Sequence, residues 1–323
     1  MGSAARSETA FFASAGALRN AFRIGFIVIA SLIGWSDVVA QVETEDPGVV
    51  SGTLARIKKT AAVRLGHRDA SIPFSYFDRS ARPIGYSIDI CKAIVEEIAR
   101  TLDREDLKVE FVKVTSESRL QAVVEGAIDL ECGSTTNNLE RRRLVDFSPM
   151  IFVTGTKLMV PIATSWRDFR DLKGRSVIVT RGTTNEQALR ALDQKFMLGI
   201  KLLESPDHEE SYRMLADRKA DAFATDDVLL HGLIAQHRSQ GLFKVVGELL
   251  SYDPYGIAFR RNEPELRAIV GRAMRNLAVT RDIGAIYTRW FESRLPNGER
   301  FNIPMSPQLA ESFKVLGEGS EPN

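Results

Sequence analysis

Asp129 and Asp221 lie 92 positions apart and sit in the same local pattern. Each follows a helix-like stretch ending in a short polar turn, and each opens a brief apolar run that leads into polar residues. Around Asp129, strand patterns fall at residues 62–66, 109–114 and 127–132, with amphipathic helical patterns at 87–102 and 116–124 between them. Thr115 or Ser116 opens the second of these helices. Around Asp221 the same alternation recurs, with strands at 157–160, 176–179, 201–203 and 220–224, a capped helix start at 165–168, and helices at 184–192, 209–217 and 226–236. Such an order folds as open α/β sheets, here in two similar halves.

The chain is therefore expected to form an α/β, two-lobed structure with a hinge and a ligand cleft between the lobes. Lobe 1 comprises residues 56–152 plus 254–295 and lobe 2 residues 153–253, with crossings near 152–155 and 251–255. Helices at 263–279 and 282–290 close the fold, and the tail from 296 to 323 carries one short helix at 307–313. Residues 41–55 read as a mobile polar leader.

Residues 1–40 have the layout of an export signal. Arg6, Arg19 and Arg23 precede an apolar run at 24–35, and small residues follow at 38–40. The run is shorter than the roughly 20 residues a spanning helix needs, so cleavage is expected over retention as an anchor. The expected destination is the periplasm. The formal net charge of +1 provides no electrostatic footprint for nucleic acid. The sequence contains two cysteines, Cys91 on an apolar helix face and Cys132 after a strand. Free buried thiols are the expected state, with a bridge between them as the alternative, because sequence cannot supply the geometry.

The chemistry concentrates in Glu131-Cys132-Gly133-Ser134-Thr135-Thr136-Asn137-Asn138-Leu139-Glu140-Arg141. Gly133 would let a ligand approach the main chain, Ser134, Thr135 and Thr136 offer hydroxyls and amides, and Arg141 offers a planar fork that fits a carboxylate. No nucleophile stands beside a base here, so capture of a small anion is expected rather than its conversion. Gly182-Thr183-Thr184 follows a strand and starts a helix, where free amides and the dipole favour an anion. Thr183 or Thr184 also suits a plain helix cap.

These blocks, with Val63-Arg64-Leu65-Gly66-His67-Arg68, Pro73-Phe74-Ser75-Tyr76, Gly85-Tyr86-Ser87, Asp207-His208 and Asp226-Asp227, resemble the periplasmic solute-binding proteins for polar amino acids. Within that family the resemblance is to the glutamate/aspartate-binding proteins of ABC importers. It implies a ligand set of Arg68, Ser116, Arg119, Ser134, Thr136, Arg141, Thr183, Thr184, His208 and Asp226. Arg141 and Thr136 would take the α-carboxylate, Asp226 rather than Asp227 the ammonium, and Arg68 and Arg119, with Ser116 and His208 beside them, a side-chain carboxylate. The resemblance further implies an acidic amino-acid ligand, an ABC permease as partner, a monomer, and no cofactor or metal. His231 and His237, six apart, have the wrong spacing for a shared metal face.

The same fold also serves dehydratases of cyclic acids, which use a cleft carboxylate as acid or base. Among the cleft candidates no glutamate has an evident desolvated setting, so binding without catalysis is expected. A ligand-sensing domain is the third possibility.

Overall fold

The computed structural model describes residues 52–319. The export segment read at 1–40 and most of the leader lie outside that range. The leader's last residues are not mobile as expected. Helix α1 (Gly52–Thr60) includes them and buries Thr53, Leu54 and Ile57.

Lobe 1 continues with β1 (Ala62–His67), a small sheet of β2 (Ala70–Ser71), β3 (Ser75–Phe77) and β4 (Pro83–Ile84), then α2 (Tyr86–Leu102), β5 (Lys108–Lys113), α3 (Arg119–Val124), β6 (Leu130–Glu131) and β7 (Val145–Phe147). Strand β8 (Phe152–Thr154) crosses to lobe 2. That lobe holds β9 (Thr156–Pro161), β10 (Ser176–Thr180), α4 (Thr184–Phe196), β11 (Lys201–Ser205), α5 (His208–Ala216), β12 (Ala222–Asp226), α6 (Asp227–Gln236) and β13 (Phe243–Val246). Strand β14 (Asp253–Tyr255) crosses back, followed by β15 (Ala258–Arg260), α7 (Pro264–Val279), α8 (Asp282–Tyr287) and α9 (Pro307–Glu318).

Each lobe has a five-stranded sheet of matching design. The orders are β5-β1-β6-β15-β7 and β11-β10-β12-β9-β13. In both, the first three strands are parallel, while the fourth runs antiparallel to its two neighbours. The 92-residue repeat reappears in the bonding. Arg64 N donates to Asp129 Oδ2 at 2.7 Å and Asp129 N returns a bond to the Arg64 carbonyl at 2.8 Å. In lobe 2, Ser176 N donates to Asp221 Oδ2 at 2.8 Å and Asp221 N to the Ser176 carbonyl at 2.9 Å. The turns before the two aspartates match as well, with left-handed backbone at Gly126 (φ 71°) and Arg218 (φ 59°). Both aspartates therefore serve as strand clamps.

Two sequence-read elements are shorter than their patterns. Only Leu130 and Glu131 pair in the strand read at 127–132, because the amides of Ala127 and Ile128 both turn back to the Ala122 carbonyl at the end of α3. The helix read from Ser116 starts at Arg119. Thr115 and Ser118 exchange bonds there, Thr115 N donating to Ser118 Oγ and Ser118 N to Thr115 Oγ1, which holds residues 116–118 in a tight turn. The pattern at 165–168 begins a short 3-10 turn (Phe169–Leu172) capped by Asp168.

Alternation along the strands sets the core. Leu130 and Phe259 face α2 and α7, whereas Ile128, Val145 and Ala258 pack on the α3 side. In β10, Val177 and Val179 join one apolar cluster with Leu189, and Ile178 joins another with Tyr212 and Leu233. Strands β8 and β14 pair antiparallel, Thr154 opposite Asp253 and Phe152 opposite Tyr255, forming a two-stranded hinge.

The expectation of free thiols is overturned. Cys91 and Cys132 form a disulfide with a Cα–Cα separation of 6.2 Å. Helix α2 lies directly over the end of β6, and both side chains are fully buried. The bridge pins the strand end from which residues 133–136 depart.

Candidate ligand-binding site

Ligands on open parallel sheets settle beyond the carboxyl ends of the strands. From lobe 1 those ends present Arg68 after β1 and the 133–136 loop after β6. From lobe 2 they present Gly182 to Thr184 after β10, His208 after β11 and Asp226 closing β12.

Three guanidiniums are buried in lobe 1, at 2% exposure for Arg68, 2% for Arg119 and 8% for Arg141. Arg68 Nη2 donates to Ser116 Oγ at 2.6 Å, and its backbone amide is held by Ser75 Oγ at 2.9 Å. Arg119 Nη1 donates to the Ser134 carbonyl at 3.2 Å. Arg141 Nη1 donates to the Thr136 carbonyl at 3.1 Å. Arg68 Nη1 and Arg119 Nε are buried with no hydrogen-bond partner among the described residues.

Burial lowers the pKa of all three, and Arg119 lies close enough to push the other two down further, Arg68 to about 9 and Arg141 to about 10. Mutual repulsion of this kind marks a convergent cation cluster, and an anion would relieve it. His208 is buried too, hydrogen-bonded through Nδ1 to Thr180 Oγ1 at 2.8 Å. Burial first, then Arg68 and Arg119, hold its pKa well below the usual histidine range. The ring is therefore neutral at physiological pH and adds no fourth cation.

The lobes touch across the cleft through the sequence-read residues. Thr136 Oγ1 and Thr184 Oγ1 are 3.2 Å apart, and Arg141 Nη2 reaches the Gly182 carbonyl at 3.3 Å. Gly182 needs to be glycine on two counts: its φ is +75°, and a Cβ there would come 2.7 Å from the Glu117 Cα of the facing lobe. Thr183 turns out to be a helix cap. Its Oγ1 accepts from Glu186 N at 3.2 Å and donates to the Thr180 carbonyl at 2.7 Å, which leaves its hydroxyl engaged. Ser134 contributes its carbonyl to Arg119.

Asp226 and Asp227 separate clearly. Asp227 Oδ1 accepts from Thr154 Oγ1 at 2.5 Å and from Val228 N at 2.7 Å, so it serves the hinge. Asp226 is 3% exposed, accepts from Asn185 Nδ2 at 2.9 Å, and accepts a hydrogen bond from the Tyr255 hydroxyl. Burial, then the charge of Asp253, raises its pKa to about 7, against the pull of Tyr255 and Asn185.

The model of the bacterial extracellular solute-binding proteins, family 3, matches residues 63–293. The chain belongs to that family. An L-glutamate/L-aspartate-binding protein of Pseudomonas aeruginosa is 40% identical over 262 residues, covering 80% of this chain and 87% of its own. A glutamate/aspartate import solute-binding protein of Salmonella typhimurium is 36% identical over 285 residues, covering 88% and 93%. Among solved structures, an ancestral arginine-binding protein bound to glutamine superposes with a TM-score of 0.65 at 29% identity, covering 72% of this chain and 99% of the other.

In this solute-binding protein, sequence reasoning missed Tyr255, Asn185 and Glu131. Tyr255 was visible only as part of a crossing, and Asn185 only as the neighbour of Thr184. Glu131 corrects two expectations. It is fully buried, so a desolvated glutamate does stand at the cleft floor. On its Cβ side Gly133 leaves no room for a ligand. A Cβ at Gly133 would lie 2.4 Å from Glu131 Oε1 and 2.9 Å from Arg68 Cγ, so the space beside it is filled by those two side chains.

Proposed function

We propose that this protein captures acidic L-amino acids, glutamate and aspartate, between its lobes outside the cytoplasm and delivers them to the membrane permease of an ABC importer. The observation that carries this reading is the buried trio Arg68, Arg119 and Arg141, with guanidinium donors left unpaired. Buried donors need partners, and a dicarboxylate supplies them. The names of the relatives point to the same ligands.

In this reading Arg141, Thr136 and the amides at the start of α4 grip the α-carboxylate. Asp226, oriented by Tyr255 and Asn185, takes the ammonium. Arg68 and Arg119, with Ser116 and neutral His208 beside them, receive the side-chain carboxylate. Contacts from both lobes favour the closed arrangement through their differential affinity for it. The protein works as a monomer, and it releases its ligand unchanged. Incubation with cyclic acids such as prephenate or arogenate, followed by chromatography, is expected to return no product.

Calorimetry with glutamate, aspartate, glutamine and asparagine tests the ligand class. The acids are expected to bind and the amides to bind at least about 100-fold more weakly, about 2.7 kcal/mol, because amidation leaves Arg68 and Arg119 facing an uncharged group. Glutamine binding as tightly as glutamate would overturn the assignment.

Asp226 predicts a pH dependence. In the free protein its raised pKa of about 7 means it holds a proton below neutrality. Binding an ammonium expels that proton, so affinity rises with pH up to about 7 and levels off above. The slope below is about tenfold per pH unit. Asp226→Asn should weaken binding and flatten this profile, whereas Asp227→Asn should leave its shape intact.

A further inference from the structure

Glu131 is an unusual side chain for its position. It follows Leu130 in a central strand, 0% exposed, and both carboxylate oxygens lack a hydrogen-bond partner among the described residues. No cationic nitrogen comes within salt-bridge distance of it among those residues, although Arg68 lines the same space beside Gly133. Burying an unpartnered carboxylate is expensive, and the residue next to it in the strand order, Ala258, shows that a small apolar side chain fits this layer. Its charge is felt by the whole cluster. Burial lowers the pKa of Arg68, Arg119 and Arg141, and Glu131 works against that shift in each.

Three guanidiniums alone would welcome any dicarboxylate, and in the assignment above Asp226 meets the ammonium of those that carry one. Resting on the ligand assignment above, we infer that Glu131 is a specificity-determining residue: a second fixed negative charge, behind the arginines, that adds to Asp226 in making the site select amino dicarboxylic acids over dicarboxylates that lack the ammonium. It repels the two carboxylates of glutamate and of glutarate alike. Only glutamate recovers part of that repulsion, through attraction between its ammonium and the same buried charge. The ratio of the two affinities therefore isolates the role of Glu131, whatever its effect on packing. Glu131 touches no ligand in this account and acts through the field it sets.

The test is calorimetry of the full chain with glutamate and glutarate, and with aspartate and succinate. Wild-type protein should prefer the amino acid in each pair. Glu131→Gln should lower that preference by about tenfold or more, equivalent to about 1.4 kcal/mol. Glu131→Asp, which keeps the charge, should retain most of it. An unchanged ratio in folded Glu131→Gln overturns the inference, since a purely structural glutamate would weaken both guests equally. Neutron diffraction from wild-type crystals provides a check that needs no variant. A bare carboxylate at Glu131 supports the inference, and a deuteron on it overturns it. Failure of the wild type to bind either acidic amino acid is a different result, and it would overturn the ligand assignment itself.

Discussion

Replacing Arg119 by alanine should weaken capture of acidic amino acids severely. Arg119 is 2% exposed, holds the Ser134 carbonyl with one nitrogen and has Nε unpaired. A ligand carboxylate docked against it would form a desolvated ion pair, and removing one partner of such a pair costs about 3–5 kcal/mol. Affinity should fall by roughly two to three and a half orders of magnitude. Stability of the empty protein should move the other way, because Arg119 pushes against Arg68 and Arg141 in the absence of an anion. Calorimetry and thermal unfolding of the same preparation read the two effects separately. Arg119→Lys keeps the charge but loses the planar fork, and it should recover only part of the affinity. Wild-type affinity in Arg119→Ala would remove this residue from the site.

The second large effect concerns the disulfide. Cys91 and Cys132 are 41 residues apart in the chain. Opening a loop of that length in the unfolded state is worth about 4 kcal/mol on a chain-entropy basis, with 2–4 typical of measured bridges. The double variant Cys91→Ala/Cys132→Ala should lose that much in urea unfolding and about 10 °C in Tm. Ligand affinity should fall as well, because the bridge fixes the strand end from which residues 133–136 leave. A double variant as stable as the wild type would show that packing of α2 on β6 already suffices.

Much of this was legible in the residues themselves. The repeat between Asp129 and Asp221 fixes the two-lobed plan because the same turn chemistry recurs, and the reciprocal bonds to Arg64 and Ser176 are its physical content. Arg68, Arg119 and Arg141 come from distant parts of the chain, yet strand ends and first helical turns locate them on one side of the sheets. Pairing of Cys91 with Cys132 was not legible, since it depends on how a helix lies over a strand. Glu131 was equally hidden. A charged residue alternating with apolar ones reads as the outward face of a strand, and only tertiary packing shows it buried. Thr183 illustrates the reverse limit: its spacing suits a cap and a ligand contact equally, and the structure spends its hydroxyl on the cap.

The loop that carries Thr136 is stitched to the returning crossing strand. Gly256 N donates to the Thr135 carbonyl at 3.1 Å, Asn137 N donates to the Pro254 carbonyl at 2.7 Å, and Thr136 bridges Tyr255. Recognition and rotation thus share one lever: any twist of β14 carries Thr136 along with it and turns the Tyr255 hydroxyl relative to Asp226. On the proposed ligand assignment, prying the lobes apart would loosen the carboxylate grip and the ammonium grip in one stroke, so a torque on the pivot would suffice to unload the cargo.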